Sequence, residues 1–122
     1  MVLMSDSDSQ PLEASRLGVV LVTVSSQEEG EAIARSLVER NLAACVSLMP
    51  IQSIYRWQGT LCNDAEWQLV IKTNLAQGED LVQAIQALHS YDLPEIIALP
   101  IVAGSSAYLA WVAETVSTPP SS

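Results

Sequence analysis

The chain has 122 residues, 49% of them apolar and 16% charged, which suffices for one globular domain with its own core and is too short for two. Fourteen acidic residues against five Lys and Arg give a formal net charge of −9. That surface is unsuited to nucleic acid or to an anionic membrane, both of which attract basic proteins.

Phe is absent, and the aromatic residues are three Trp and three Tyr, each with a polar atom suited to interfaces and half-buried sites. The opening Met1-Val2-Leu3-Met4 is too short for the apolar core of a signal peptide, and no apolar run approaches a membrane span. A soluble, cytoplasmic protein is expected. Residues 1–16 read as a disordered N-terminal tail and 117–122 as a flexible C-terminal one, leaving a folded body over 17–116.

Within that body, residues 17–25 (LGVVLVTVS) are β-branched and almost continuously apolar, the pattern of a central strand. Ser26-Gln27-Glu28-Glu29 is a capping-box sequence in which Ser26 accepts from the backbone at Glu29 and Glu29 reaches back. A helix should follow to about Asn41, burying Ile33, Leu37 and Val38. Residues 45–57 predict a long strand interrupted by Pro50, with a tight reversal at Gln58-Gly59. The returning strand covers 67–73. Leu81, Val82, Ile85 and Leu88 have helical spacing, residues 95–102 (EIIALPIV) predict a fourth strand, and Ser105 is placed to cap a last helix through Tyr108, Leu109, Val112 and Val116.

The order β-α-β-β-α-β-α is that of an α+β, ferredoxin-like antiparallel sheet with both helices of the βαββαβ unit on one face and an extra C-terminal helix. The prolines agree with it. The second and fourth strands lie at the edges of that sheet, and Pro50 and Pro100 fall in those strands, where a missing N–H is tolerated. Thirteen residues over 45–57 span about 40 Å at the rise of a β-strand, beyond the reach of the 17–25 strand. The extended hairpin must project past its own core with Tyr55, Trp57 and Trp67, so a neighbouring copy is expected to receive them as an interface.

The segments Asn41-Leu42-Ala43-Ala44-Cys45-Val46, Ser53-Ile54-Tyr55-Arg56-Trp57-Gln58-Gly59, Ile71-Lys72-Thr73 and Tyr91-Asp92-Leu93-Pro94-Glu95-Ile96, with Gly104 ahead of Tyr108-Leu109-Ala110-Trp111, resemble the CutA, or divalent-cation-tolerance, family, in order and in spacing. The resemblance implies a homotrimer of ferredoxin-like subunits similar in architecture to the PII signalling proteins, with clefts between subunits and a role in tolerance of copper and other divalent cations. In copper-binding relatives the proposed ligands are a Cys before a first-strand Thr and two consecutive His. Carried over, these positions are Val22, Leu88 and His89, so only His89 keeps a metal donor. The implied copper set is degraded, and a divalent cation such as copper is the one cofactor it suggests.

Cys45 reads as a small core residue, and Cys62 should sit beside Tyr55, too far along the hairpin for a disulfide with Cys45. Lys72, the only lysine, suggests an anchor for a small anionic ligand. Glu66, Tyr91, Glu95 and Trp111 are expected to line the same inter-subunit cleft. No G-x-S-x-G elbow, phosphate-binding Gly loop, H-E-x-x-H or C-x-x-C occurs, so a binding protein is expected and not an enzyme. Two roles follow: a metal-responsive trimer, or a PII-like sensor that holds an anionic metabolite and signals to a protein partner. A trimer that only presents another protein is a third.

Overall fold

Eight residues with Val at four positions form β1 (Leu17–Val24), whose alternation drives Val20, Val22 and Val24 into the core on one face. The computed structural model describes residues 16–117, so the tails expected over 1–16 and 117–122 lie, but for Arg16 and Ser117, outside the described residues. Six further elements follow: α1 (Gln27–Glu39), β2 (Cys45–Trp57), β3 (Thr60–Asn74), α2 (Gly78–Leu88) after a 3₁₀ turn at Leu75–Gln77, β4 (Ile96–Pro100) and α3 (Ser106–Ser117). The four strands form one antiparallel sheet in the order β2-β3-β1-β4. This is the expected α+β, ferredoxin-like arrangement, with Pro50 and Pro100 in its two edge strands.

The long hairpin is fully paired. Its register runs from Cys45 opposite Lys72 to Trp57 opposite Thr60, so the return strand begins seven residues before the expected start at Trp67. Gln58 and Gly59 turn the chain with φ of 50° and 82°, the positive pair that a two-residue hairpin loop requires and that Gly adopts without strain.

On one face of the sheet, α1 and α2 bury Ile33, Leu37, Leu81 and Ile85 against Val20, Val22, Leu69 and Ile71. Among the described residues the other face is covered where β1 begins, by Val112 and Val116 of α3 packed on Leu17 and Ala44. Beyond that end the second face presents Met49, Ile97 and Leu99 to solvent. No described helix is long and apolar enough to cross a membrane.

Three local expectations are corrected. Val38 and Leu88 are exposed, because α1 turns Gly30, Ile33, Ala34 and Leu37 inward and α2 turns Leu81, Ala84 and Ile85 inward. Trp67 does not stand out on the projecting ribbon. It pairs with Val24 and packs half-buried against the chain's own core, as its two-residue spacing from Leu69 and Ile71 requires. The capping box is half formed: the Glu29 N–H donates to Ser26 Oγ at 3.1 Å, while the Glu29 carboxylate turns outward to Ser25 and Ser90.

Candidate functional site

On the second face, where the projecting half of the hairpin meets the loop between α2 and β4, lies a cleft of about 790 Å³. Strand parity delivers its floor. Thr23, Ser53, Tyr55, Asp64 and Glu66 all project from that face, since Ser53 opposes Asp64 and Ile51 opposes Glu66 in the hairpin register. The loop closes one side with Ser90, Tyr91, Asp92 and Glu95. Among the described residues four carboxylates therefore line the cleft, and no Lys or Arg does.

Glu66 is the deepest of them, only 7% exposed, with Oε2 accepting the Tyr91 hydroxyl at 2.9 Å. Burial, together with the hydrogen bond to Glu66, pushes the Tyr91 phenol up to about 12, so it stays a proton donor throughout the physiological range. Nearer the hairpin tip the Tyr55 hydroxyl donates to Asp64, and that bond raises the Tyr55 phenol well above its ordinary value. Both tyrosines thus present neutral donors to carboxylates.

His89 is corrected as a metal ligand. Its side chain has no exposed surface, and both ring nitrogens are engaged. The Tyr91 N–H donates to Nδ1 at 3.0 Å, which requires an unprotonated Nδ1. Nε2 then carries the hydrogen and donates to the Thr23 carbonyl at 2.7 Å. This neutral imidazole keeps no lone pair for a cation, and a threefold set of such groups fares no better. Among the described residues no three His, Cys, Asp or Glu side chains of one chain converge on a metal-sized site.

Glu66, Tyr91 and Glu95 line this cleft of the single chain, together with Tyr55 and Trp57. Lys72 and Trp111 do not. Lys72 stands six positions from Glu66 along β3, ~20 Å at the rise of a strand, and its Nζ donates to Ser47 Oγ at 3.5 Å. Trp111 lies on the exposed side of α3, its ring centroid 5.5 Å from that of Tyr108. Both cysteines are free thiols, and Cys62 opposes Tyr55 as expected. Asp64 and Asp92 went unnoticed in the sequence. Counting pairs back from Gln58-Gly59 would have found Asp64, whereas Asp92 carries no signal beyond its neighbour Tyr91.

The fold is thus a ferredoxin-like sheet with an overlong hairpin and an acid-lined cleft, and that cleft offers no cationic group to a phosphate. The family comparison is more specific. The model for the CutA1 divalent ion tolerance protein matches residues 18–115, and the chain belongs to that family. It is 48% identical over 97 residues to the divalent-cation tolerance protein CutA of Thermus thermophilus, covering 79% of this chain and 94% of the relative. It is 47% identical over 95 residues to the chloroplastic CutA of Arabidopsis thaliana, where the match covers 77% of this chain and only about half (52%) of the longer relative. The solved structure of CutA from Synechococcus elongatus superimposes with a TM-score of 0.81 at 42% identity, covering 85% of this chain and 93% of that one.

Proposed function

We propose that the chain assembles as a homotrimer and holds divalent cations, without catalysis, at carboxylate oxygens in clefts that a neighbouring copy completes. The observation that carries this is the cleft lining: four carboxylates, one of them almost fully buried, and no cationic side chain. A buried carboxylate is costly without a compensating positive group, and carboxylate, hydroxyl and carbonyl oxygens suit hard divalent ions. A neighbour is needed because one chain gathers no convergent set of three donors among its described residues. Partner surface is also needed at the hairpin tip, where Ile54 and Leu61 are 68% and 67% exposed and α3 packs at the opposite end of the sheet. Copper held through His89 has no place in this proposal, since that ring is fully engaged.

A second function, a PII-like sensor of a small anion, draws on Lys72. That half-buried ammonium lies toward the end of the sheet where β1 begins, with a long hydrogen bond to Ser47 and no ion pair to any described residue. Sedimentation equilibrium together with Mn²⁺ titration monitored by NMR distinguishes the two. A trimer mass, with early broadening at Asp64, Glu66, Asp92 and Glu95, supports cation binding. A monomer, or broadening spread evenly over the acidic surface, contradicts it.

A further inference from the structure

The loop that walls the cleft is held from behind by a residue that does not line it. Glu29, in the first turn of α1, accepts the Ser90 N–H on Oε2 at 2.8 Å and the Ser90 hydroxyl on Oε1 at 3.0 Å. Ser25 adds a third donor to Oε1 at 3.1 Å. Next along the chain, His89 ties the loop to β1 through the Thr23 carbonyl and accepts the Tyr91 N–H, with the His89 and Tyr91 ring centroids 4.9 Å apart. Tyr91 then reaches Glu66. Hydrogen bonds and the adjoining backbone of residues 89–91 therefore link the capped start of α1 to the deepest carboxylate of the cleft, with Glu29 and Ser90 61 positions apart in sequence.

We propose that Glu29 is a positioning residue for the cleft: by gripping Ser90 it fixes Tyr91 against Glu66 and so sets how that carboxylate meets a cation. This deepens the cation-binding function proposed above and rests on it for the affinity effect alone. Both Glu29 oxygens are used, each by a different donor on Ser90, and a glutamine in its place would offer only one acceptor oxygen. Burial pushes the Glu29 carboxyl up, but the Ser90 backbone N–H and hydroxyl and the Ser25 hydroxyl outweigh it and hold the group below its ordinary value. The ionised form is thus the one the loop is built around. Without that grip the phenol of Tyr91 has freedom to leave Glu66 and the cleft loses its fixed depth. Groups that orient a ligand from behind typically change metal affinity by 10–100-fold when removed.

The test compares wild type with Glu29→Gln and Ser90→Ala, using Glu31→Gln as the control, since Glu31 lies on the exposed side of α1 and, among the described residues, bonds Gln27 alone. Amide hydrogen exchange at Tyr91 is measured relative to core amides of β1 and β3, and Mn²⁺ affinity is measured by calorimetry. Tyr91 is the informative amide because it bonds His89 and does not touch Glu29. Expected are at least ~10-fold faster relative exchange at Tyr91 and ~10-fold weaker Mn²⁺ binding in Glu29→Gln, a smaller change of the same sign in Ser90→Ala, and none in Glu31→Gln. Unchanged exchange at Tyr91 in both latch variants overturns the proposal, as does faster exchange with full Mn²⁺ affinity. If wild type binds no Mn²⁺, the cation-binding function fails, and exchange at Tyr91 alone decides whether Glu29 positions the loop.

Discussion

Replacing His89 by Ala tests whether the lone histidine is a brace or a ligand. The variant leaves the Tyr91 N–H without its acceptor and the Thr23 carbonyl without the imidazole donor. An unsatisfied buried donor or acceptor costs ~1–3 kcal/mol. Removing a ring with no exposed surface adds the loss of its packing, a further ~1–3 kcal/mol by analogy with other large-to-small changes. A total of about 2–6 kcal/mol is expected, a large share of the stability of a domain this size. The assay is denaturant unfolding at one fixed protein concentration, because oligomer stability depends on concentration, with and without EDTA. The loss should be the same in both. A loss below ~1 kcal/mol, within the range of ordinary surface changes, or one that appears only when copper is present, would refute the brace and restore a metal role for His89.

Trp57→Ala, at a 47% exposed position near the hairpin tip, should weaken assembly by ~3–5 kcal/mol per buried copy, while Glu28→Ala leaves it unchanged; sedimentation over a dilution series measures both. Gly30→Ala should destabilise the fold by about 1–2 kcal/mol despite the better helix propensity of Ala, since an added Cβ meets Leu48 at 2.9 Å, Val24 at 3.2 Å and Leu69 at 3.3 Å; a more stable variant in urea unfolding would show that this layer is loosely packed. Glu29 has a depressed carboxyl pKa, so its contribution is complete above the ordinary value of 4.5 and is lost as pH falls through the lower folded value. Wild type should therefore lose stability on acidification more steeply than Glu29→Gln, and parallel curves between pH 5 and 2 would contradict this.

The fold was legible because its signals are local. β-Branched runs, Ser26 ahead of α1, Gln58-Gly59 and two edge-strand prolines each act within a few residues, and each is found where expected. The site was legible only in part because a cleft depends on register and on contacts between distant segments. Trp67 was assigned to the projecting ribbon, although alternation with Leu69 and Ile71 turns it inward. Lys72 is expected from the sequence to share a cleft with Glu66, but six positions of β3 separate the two within one chain. The contact of Glu29 with Ser90 had no sequence signal at all: a first-turn Glu after Ser26 reads as a capping box, and only tertiary packing brings a loop serine to compete for its carboxylate.

The proposed cation binding depends most directly on Glu66. Calorimetric titration of Mn²⁺ into the assembled wild-type protein, Glu66→Gln and Lys72→Ala separates that role from the anion-binding alternative. Wild type and Lys72→Ala should bind with equal affinity, and Glu66→Gln should bind at least tenfold more weakly, equivalent to ~1.4 kcal/mol. Full affinity in Glu66→Gln, or an affinity that disappears with Lys72, would contradict the assignment of cations to the acidic cleft.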